Sequence, residues 1–360
     1  MRVIVAGAGI GGLTLAQGLR QAGIDVTVYE RDGPDGRPQG VSLHIDDRGA
    51  GALRACLPPA HLAMVEATMG APRERTLVVS EVDGRLSVVR SQPLDATTAA
   101  RPGRPVNRRL LRAVLLTGLE DVVRFDAGIS RFEQCPDGTV RAWFADGSTD
   151  TADVLVGADG IGSAVRRQYL PQAQVIDTGK RMVMGATPLR AVADTRLLEL
   201  IGDSATNAQV RGTTMVLAAL RFTEPPVIAR RKWLPALSSA TVDNAEDYLM
   251  WTVPGAQAPV GHPALRQILD QAWPDLTVEL RIAMIPPVPP WPAGPVTLIG
   301  DAIHLAPGFG ANLAMRDAQR LRDALAERPG DPHTAIGAYE ETMRRESWTR
   351  MQVPVPPGPG

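Results

Sequence analysis

The sequence predicts an α/β chain built from a parallel-sheet unit and a second, mostly antiparallel β-sheet unit. Three observations carry that expectation. An apolar run, Val3-Ile4-Val5-Ala6, meets the turn Gly7-Ala8-Gly9-Ile10-Gly11-Gly12 and continues as Leu13-Thr14-Leu15-Ala16, the order of strand, tight turn and helix. Two later apolar runs, 154–156 and 296–299, end in Gly157-Ala158-Asp159-Gly160 and in Gly300-Asp301. Between them, residues 176–285 contain alternating stretches such as 213–222 and 248–253, which have the period of half-buried strands.

At 360 residues the chain exceeds what one hydrophobic core usually serves, so two domains are expected. Taken in order, residues 1–72 read as strand, helix and strand, then an excursion through 34–40 into Val41-Ser42-Leu43-His44-Ile45, and a helix over 48–56 broken by Leu57-Pro58-Pro59. Residues 75–90 alternate about Asp83-Gly84, a hairpin signal. Leu110, Leu111, Val114 and Leu115 share one face of a helix over 107–119. Short strands then flank the turns Asp137-Gly138 and Asp146-Gly147, and the run before Asp159 reads as a buried strand leading into a turn and a helix. After the proline-rich spacer 286–292 come a strand ending at Gly300, a helix over 312–328 and another over 333–351. The expected division is 1–72, 100–175 and 286–352 in the first domain, 73–99 and 176–285 in the second, and a disordered tail at 353–360.

Composition excludes several function classes. Net charge is −1 and no basic run marks a nucleic-acid or membrane-binding stripe. Cys56 and Cys135 lack CxxC spacing, and no histidine pair has metal-ligand spacing, so neither a disulfide framework nor a metal site is expected. The cysteines read as reduced thiols of a cytoplasmic protein. No stretch reaches the length of a bilayer span, and the N-terminal run fits a buried strand better than a secretion signal.

The glycine turn carries chemistry. Gly7 permits the tight turn, Gly9 lets the backbone approach a pyrophosphate, and Gly12 allows helix and strand to pack closely. The free N–H groups at the helix start, around Ile10 and Gly11, favour phosphate charge. A second apolar run, Val26-Thr27-Val28-Tyr29, ends at Glu30, where a carboxylate accepts hydrogen bonds from a ribose diol, which selects an unphosphorylated ribose as in NAD or FAD. Such a unit is a Rossmann-like dinucleotide fold. Gly160-Ile161-Gly162 lacks a third spaced glycine and is not read as a second one.

With the glycine turn, the Asp159-Gly160 motif and the Gly300-Asp301 motif in this order, the chain resembles the class A flavin-dependent monooxygenases, the aromatic hydroxylase group with one dinucleotide fold and bound FAD. The resemblance extends from Met1 to about Glu346. It implies that FAD binds with Gly7, Gly9, Ile10, Gly11, Gly12 and Glu30 at its adenosine end, and that Arg31 lies along the adenosine or is exposed filler. Arg108, in Val106-Asn107-Arg108-Arg109-Leu110-Leu111, is similar to a family arginine at the flavin ribityl and pyrophosphate. Arg109 and Arg112 read as solvated. Asp301 is similar to the aspartate that binds ribityl hydroxyls, and Asp159 to its partner in the central motif, a role compatible with helix capping.

The segment Pro307-Gly308-Phe309-Gly310-Ala311-Asn312 precedes a helix whose amides and dipole face the flavin ring in the family, with Asn312 also suited to an N-cap. From His304 to Asn312 this chain is three residues shorter than the common family pattern. His44 is a candidate substrate contact or a structural histidine, and His304 reads as structural. Trp251, Met250 and Phe222 line an aromatic pocket or simply pack in a core. The implied reaction is hydroxylation of an aromatic or polyketide-like molecule through a C4a-hydroperoxyflavin, with O2 as oxidant and NADPH or NADH as a transient co-substrate. The protein would act as monomer or homodimer, without nucleic-acid or membrane partners. Rival readings keep FAD for epoxidation or non-redox cyclisation, or make the chain a redox-inactive FAD- or ligand-binding protein.

Overall fold

The computed structural model describes residues 1–37, 39–95, 101–255, 261–305 and 310–348. The chain starts as β1 (Arg2–Ala6), α1 (Ile10–Gln21) and β2 (Asp25–Tyr29), then β3 (Ser42–Asp46), α2 (Asp47–Cys56) and α3 (Pro59–Thr68). A hairpin of β4 (Arg75–Val82) and β5 (Arg85–Pro93) turns at Asp83 and Gly84, both at positive φ. Next come β6 (Gly103–Asn107), α4 (Arg108–Leu116) and β7 (Val123–Arg124), then a meander of β8 (Ile129–Gln134), β9 (Val140–Phe144) and β10 (Thr149–Ala152). They are followed by β11 (Val154–Gly157) and α5 (Ala164–Tyr169). The middle region holds β12 (Ile176–Pro188), α6 (Leu197–Ile201), β13 (Ala205–Val210), β14 (Thr213–Leu220), α7 (Pro226–Trp233), β15 (Tyr248–Pro254), α8 (Pro263–Asp270) and β16 (Val278–Met284). The chain closes with β17 (Val296–Leu298), α9 (Gly310–Glu327) and α10 (Pro332–Met343). The expected tail at 353–360 and the last residues of the closing helix lie outside the described residues.

The parallel sheet runs β17-β11-β1-β2-β7. Register sets Val5 beside Val156 and Ala6 beside both Tyr29 and Gly157, with Gly157 against Leu298. The glycine turn, Asp159 and Gly300 therefore leave the sheet along one edge, the carboxyl ends of neighbouring strands, where doubly wound sheets bind ligands. Val3, Ile4, Val5, Val154, Leu155 and Val156 are all fully buried. Both faces of these strands are covered, so their sequence runs apolar without alternation. Each such side chain contributes about 1.5–3 kcal/mol relative to exposure.

The second sheet has seven strands, β16-β12-β15-β14-β13-β4-β5, antiparallel except where β13 runs parallel to β4. Alternation along β15 separates its faces. Leu249, Trp251 and Val253 pack with α6 and α8, whereas Tyr248 sits with Val41, Ala186 and Leu220 on the face toward the parallel-sheet unit, Met250 packing against them. Among the described residues no helix is long and apolar enough to cross a membrane.

Candidate active site

The glycine turn forms as its spacing requires. Gly7 has φ +108°, and a Cβ on it would stand 2.5 Å from Ala158 O. A Cβ on Gly12 would stand 2.0 Å from Gly7 O, so these two glycines are demanded by the protein itself. Gly9 differs, since a Cβ there would meet nothing within 4 Å. Gly9 caps α1 with no side-chain acceptor for the first N–H groups, so the positive end of the helix stands open to a cavity.

That cavity, of about 450 Å³, runs from the glycine turn to the start of α9. Gly7, Gly9, Ile10, Gly11, Glu30, Arg31, Arg108, Asp159, Gly160, Gly300, Asp301, Gly310 and Ala311 all line it. Gly12 lies behind the turn, and Pro307 and Gly308 fall outside the described residues. At the near end Glu30 is held in place, its two oxygens accepting the Ala8 N–H at 2.7 Å and the Asp32 N–H at 2.9 Å. Arg31 is exposed at the rim beside Gly128 and Gly162.

At the far end, Gly300 takes φ +58° and delivers Asp301 into the cavity against Gly310. Asp301 Oδ1 is buried and has no hydrogen-bond partner. Burial pushes its carboxyl above the usual carboxylate range, although His304 and Arg108 pull the other way. Arg108, half-buried, donates to Gln39 Oε1 at 2.7 Å; burial holds its guanidinium below the usual range, with Asp301 opposing that shift. Asp159 uses Oδ2 to accept the Ala164 N–H at 2.8 Å at the start of α5 and leaves Oδ1 buried and unpartnered. Both readings of Asp159 are thus compatible with its position.

Two expectations are corrected. Asn312 is not an N-cap, because α9 begins at Gly310. Its buried amide bridges to β3 instead, accepting the Asp46 N–H at 3.1 Å and donating to His44 O at 2.7 Å, so its side chain does not line the cavity. Arg112 is not solvated like the exposed Arg109: it donates to Ala8 O at 3.1 Å and Pro34 O at 2.8 Å, tying the 32–36 strap to the glycine turn. Of the two readings of Trp251, core packing is the one that holds: it lies in the core behind the sheet, donating to Thr187 Oγ1, while Met250 is on the face toward Val41.

His44 is bonded to Arg101 O at 2.8 Å, and burial lowers its pKa. His304 is fully buried against Asp317. Asp317 and Gln39 carry no sequence signal, since neither belongs to a recognisable turn or spacing.

An open cradle above Gly9, uncapped helix amides, a fixed carboxylate at one end and an unpartnered one at the other fit an elongated, hydroxyl-bearing dinucleotide. The fold and cavity define a Rossmann-type dinucleotide protein with an appended antiparallel-sheet unit. A family model described as NAD(P)-binding Rossmann-like domain matches residues 5–37. The chain is 32% identical over 357 residues to an FAD-dependent urate hydroxylase of Klebsiella pneumoniae, covering 94% of this chain and 85% of the relative. It is 30% identical to the dual O-methyltransferase/FAD-dependent monooxygenase elcB of Phaeosphaeria nodorum over 90% of its own length, but spans only 40% of that relative. Among solved structures, a variant of Klebsiella pneumoniae HpxO complexed with FAD superposes with a TM-score of 0.74 at 25% identity, covering 98% and 87% of the two chains. The chain belongs to the FAD-dependent monooxygenases, the flavoprotein hydroxylase family.

Proposed function

We propose that this protein is an FAD-dependent monooxygenase that uses NADPH or NADH and O2 to hydroxylate a small aromatic or polyketide-like molecule. The observation that carries the proposal is the continuous cavity joining the Gly9 cradle to the unpartnered carboxylate of Asp301. On this reading the segments 1–72, 100–175 and 286–352 hold the cofactor, and 73–99 with 176–285 present the substrate. The working form is a cytoplasmic monomer or homodimer.

Bound FAD would supply acceptance of hydride from reduced nicotinamide and transfer of one oxygen atom from O2. The chain's own residues bind and orient. The amides of α1 hold the pyrophosphate at Gly9, Glu30 accepts from the adenosine ribose, and Asp301 accepts from a ribityl hydroxyl, which gives its orphaned oxygen a partner. Arg108 offsets phosphate charge from the opposite wall. Asp159 and Gly160 close the cofactor's flank. The start of α9, at Gly310 and Ala311, lines the far end of the cavity and would offer its positive end to the ring of a bound flavin. Tyr248 packs with Val41, Ala186 and Leu220, and Met250 lies against them, an apolar layer that would help keep water from a substrate bound on that face. No side chain is assigned as acid or base.

Absorption spectroscopy of the purified protein, followed by anaerobic titration with NADPH and NADH, tests the reading. The expected result is a yellow protein bleached by reduced nicotinamide, faster in the presence of an aromatic substrate. Colourless protein that FAD cannot reconstitute overturns it, and flavin that neither nicotinamide bleaches would favour the non-redox cyclase instead.

A further inference from the structure

The exit turn of β17 is fastened to α9 by a buried polar pair. Asp317 and His304 are both fully buried. One atom, Asp317 Oδ2, accepts the Gly300 N–H at 2.9 Å and also meets His304 Nε2. The His304 N–H closes the turn onto Gly300 O at 3.0 Å. Both ends of the segment that carries Asp301 thus converge on a single carboxylate oxygen. Three polar atoms of this cluster have no partner, His304 Nδ1, Asp317 Oδ1 and Asp301 Oδ1, so the cluster is specified by few bonds and loses much when one is removed.

We propose that His304 and Asp317 are positioning residues, whose buried pair sets the Gly300–His304 turn and so aims the Asp301 carboxylate at the cofactor. The inference rests on the reading of the cavity as an FAD site. The charged and titratable groups that face the pair are Asp301 on the same turn, Arg316 on α9 and Tyr339 on α10, and Arg108 on α4 in turn faces Asp301. Arg166 from α5 also donates to Ala302 O at 3.1 Å. Burial disfavours a charged His304, but Asp317 and Asp301 outweigh it and raise the pKa of the imidazole. Loss of that proton leaves two carboxylates unneutralised beside an anionic cofactor, which weakens its binding.

The test is FAD binding to apoprotein, read by quenching of flavin fluorescence from about pH 6 to about pH 10, with thermal melting of each apoprotein. Asp317→Ala and His304→Gln are expected to weaken FAD by about tenfold or more. Wild-type affinity falls on the alkaline side, and His304→Gln flattens that limb. If Asp317→Ala does not fold, Asp317→Asn, which keeps an acceptor for Gly300 N–H but not the charge, takes its place with the same expectation at a smaller loss. Variants that bind FAD as wild type does overturn the inference, as does a uniform loss that keeps the alkaline limb, because packing alone then explains it. Wild-type protein that binds no FAD at any pH refutes instead the reading of the site.

Discussion

Gly9→Ala separates a glycine required by the protein from one required by its ligand. Gly9 has φ −78° and ψ −178°, extended backbone that alanine adopts freely. Its added methyl meets no protein atom within 4 Å. Two small effects on the apoprotein oppose each other: alanine lowers the entropy of the unfolded chain by about 0.4–1 kcal/mol, and it is a poorer N-cap than glycine by a similar amount. They cancel closely, so the apoprotein should melt within about 2 °C of wild type. The methyl does occupy the space through which a pyrophosphate reaches the α1 amides. Forcing one methyl into a filled contact costs about 1–3 kcal/mol, a rise in Kd of roughly 5- to 150-fold. Fluorescence titration of FAD beside a melt of the same apoprotein reads both quantities. A variant that melts well below wild type, or one that binds FAD equally tightly, would refute the argument that this space belongs to the cofactor.

Gly12→Ala should do the reverse: its Cβ would sit 2.0 Å from Gly7 O, and relieving that overlap needs backbone movement costing about 3 kcal/mol or more, visible as a lower melting temperature of the apoprotein. Asp301→Ala should weaken FAD by about 1.5–3 kcal/mol, one charge-assisted bond, without lowering apoprotein stability, because the lost Oδ1 has no partner there; unchanged affinity would assign the residue another task. Glu340 is buried, its Oε1 accepting from Thr297 Oγ1 at 2.8 Å, and burial pushes its carboxyl up to about 7 from 4.5. The folded state then binds more protons than the unfolded one between those values, so stability falls as pH rises through that window, by on the order of 3 kcal/mol. Glu340→Gln should flatten that slope in denaturant melts, and an unchanged slope would remove Glu340 as its source.

The parts of the fold that are legible in the sequence are local. Asp83-Gly84, Asp137-Gly138 and Asp146-Gly147 each supply positive φ at a tight turn, and the strands on either side pair as expected. The helices α3, α6, α7 and α8 are not legible, three of them begin at a proline, and for α3 the proline is the reason. Pro58-Pro59 marks the break that ends α2, yet α3 starts at Pro59; α7 starts at Pro226 and α8 at Pro263. Proline's fixed φ and missing N–H suit the first helical turn as well as they spoil an interior. A proline read only as a breaker hides the helix that it begins.

The same contrast runs through the site. Gly7, Gly9, Gly12 and Glu30 are legible because their function follows from backbone geometry within one strand-turn-helix-strand unit. Asn312, Arg112 and Asp317 are not, because their partners come from other segments. Asn312 follows Gly310-Ala311 and so looks like a cap, but the helix has already begun, and its amide is consumed by the backbone of β3. A Cβ on Gly49 would stand 2.3 Å from Asn312 Oδ1, so α2 must carry a glycine where the amide passes. Asp317, farther along α9, reaches the exit of β17. One helix is thus pinned by buried polar bonds to two strands from opposite ends of the chain. An apolar stripe alone would let α9 slide along its neighbours, since hydrophobic contact is non-directional. The two bonded side chains fix its depth and rotation, and with them the position of Gly310 against Asp301.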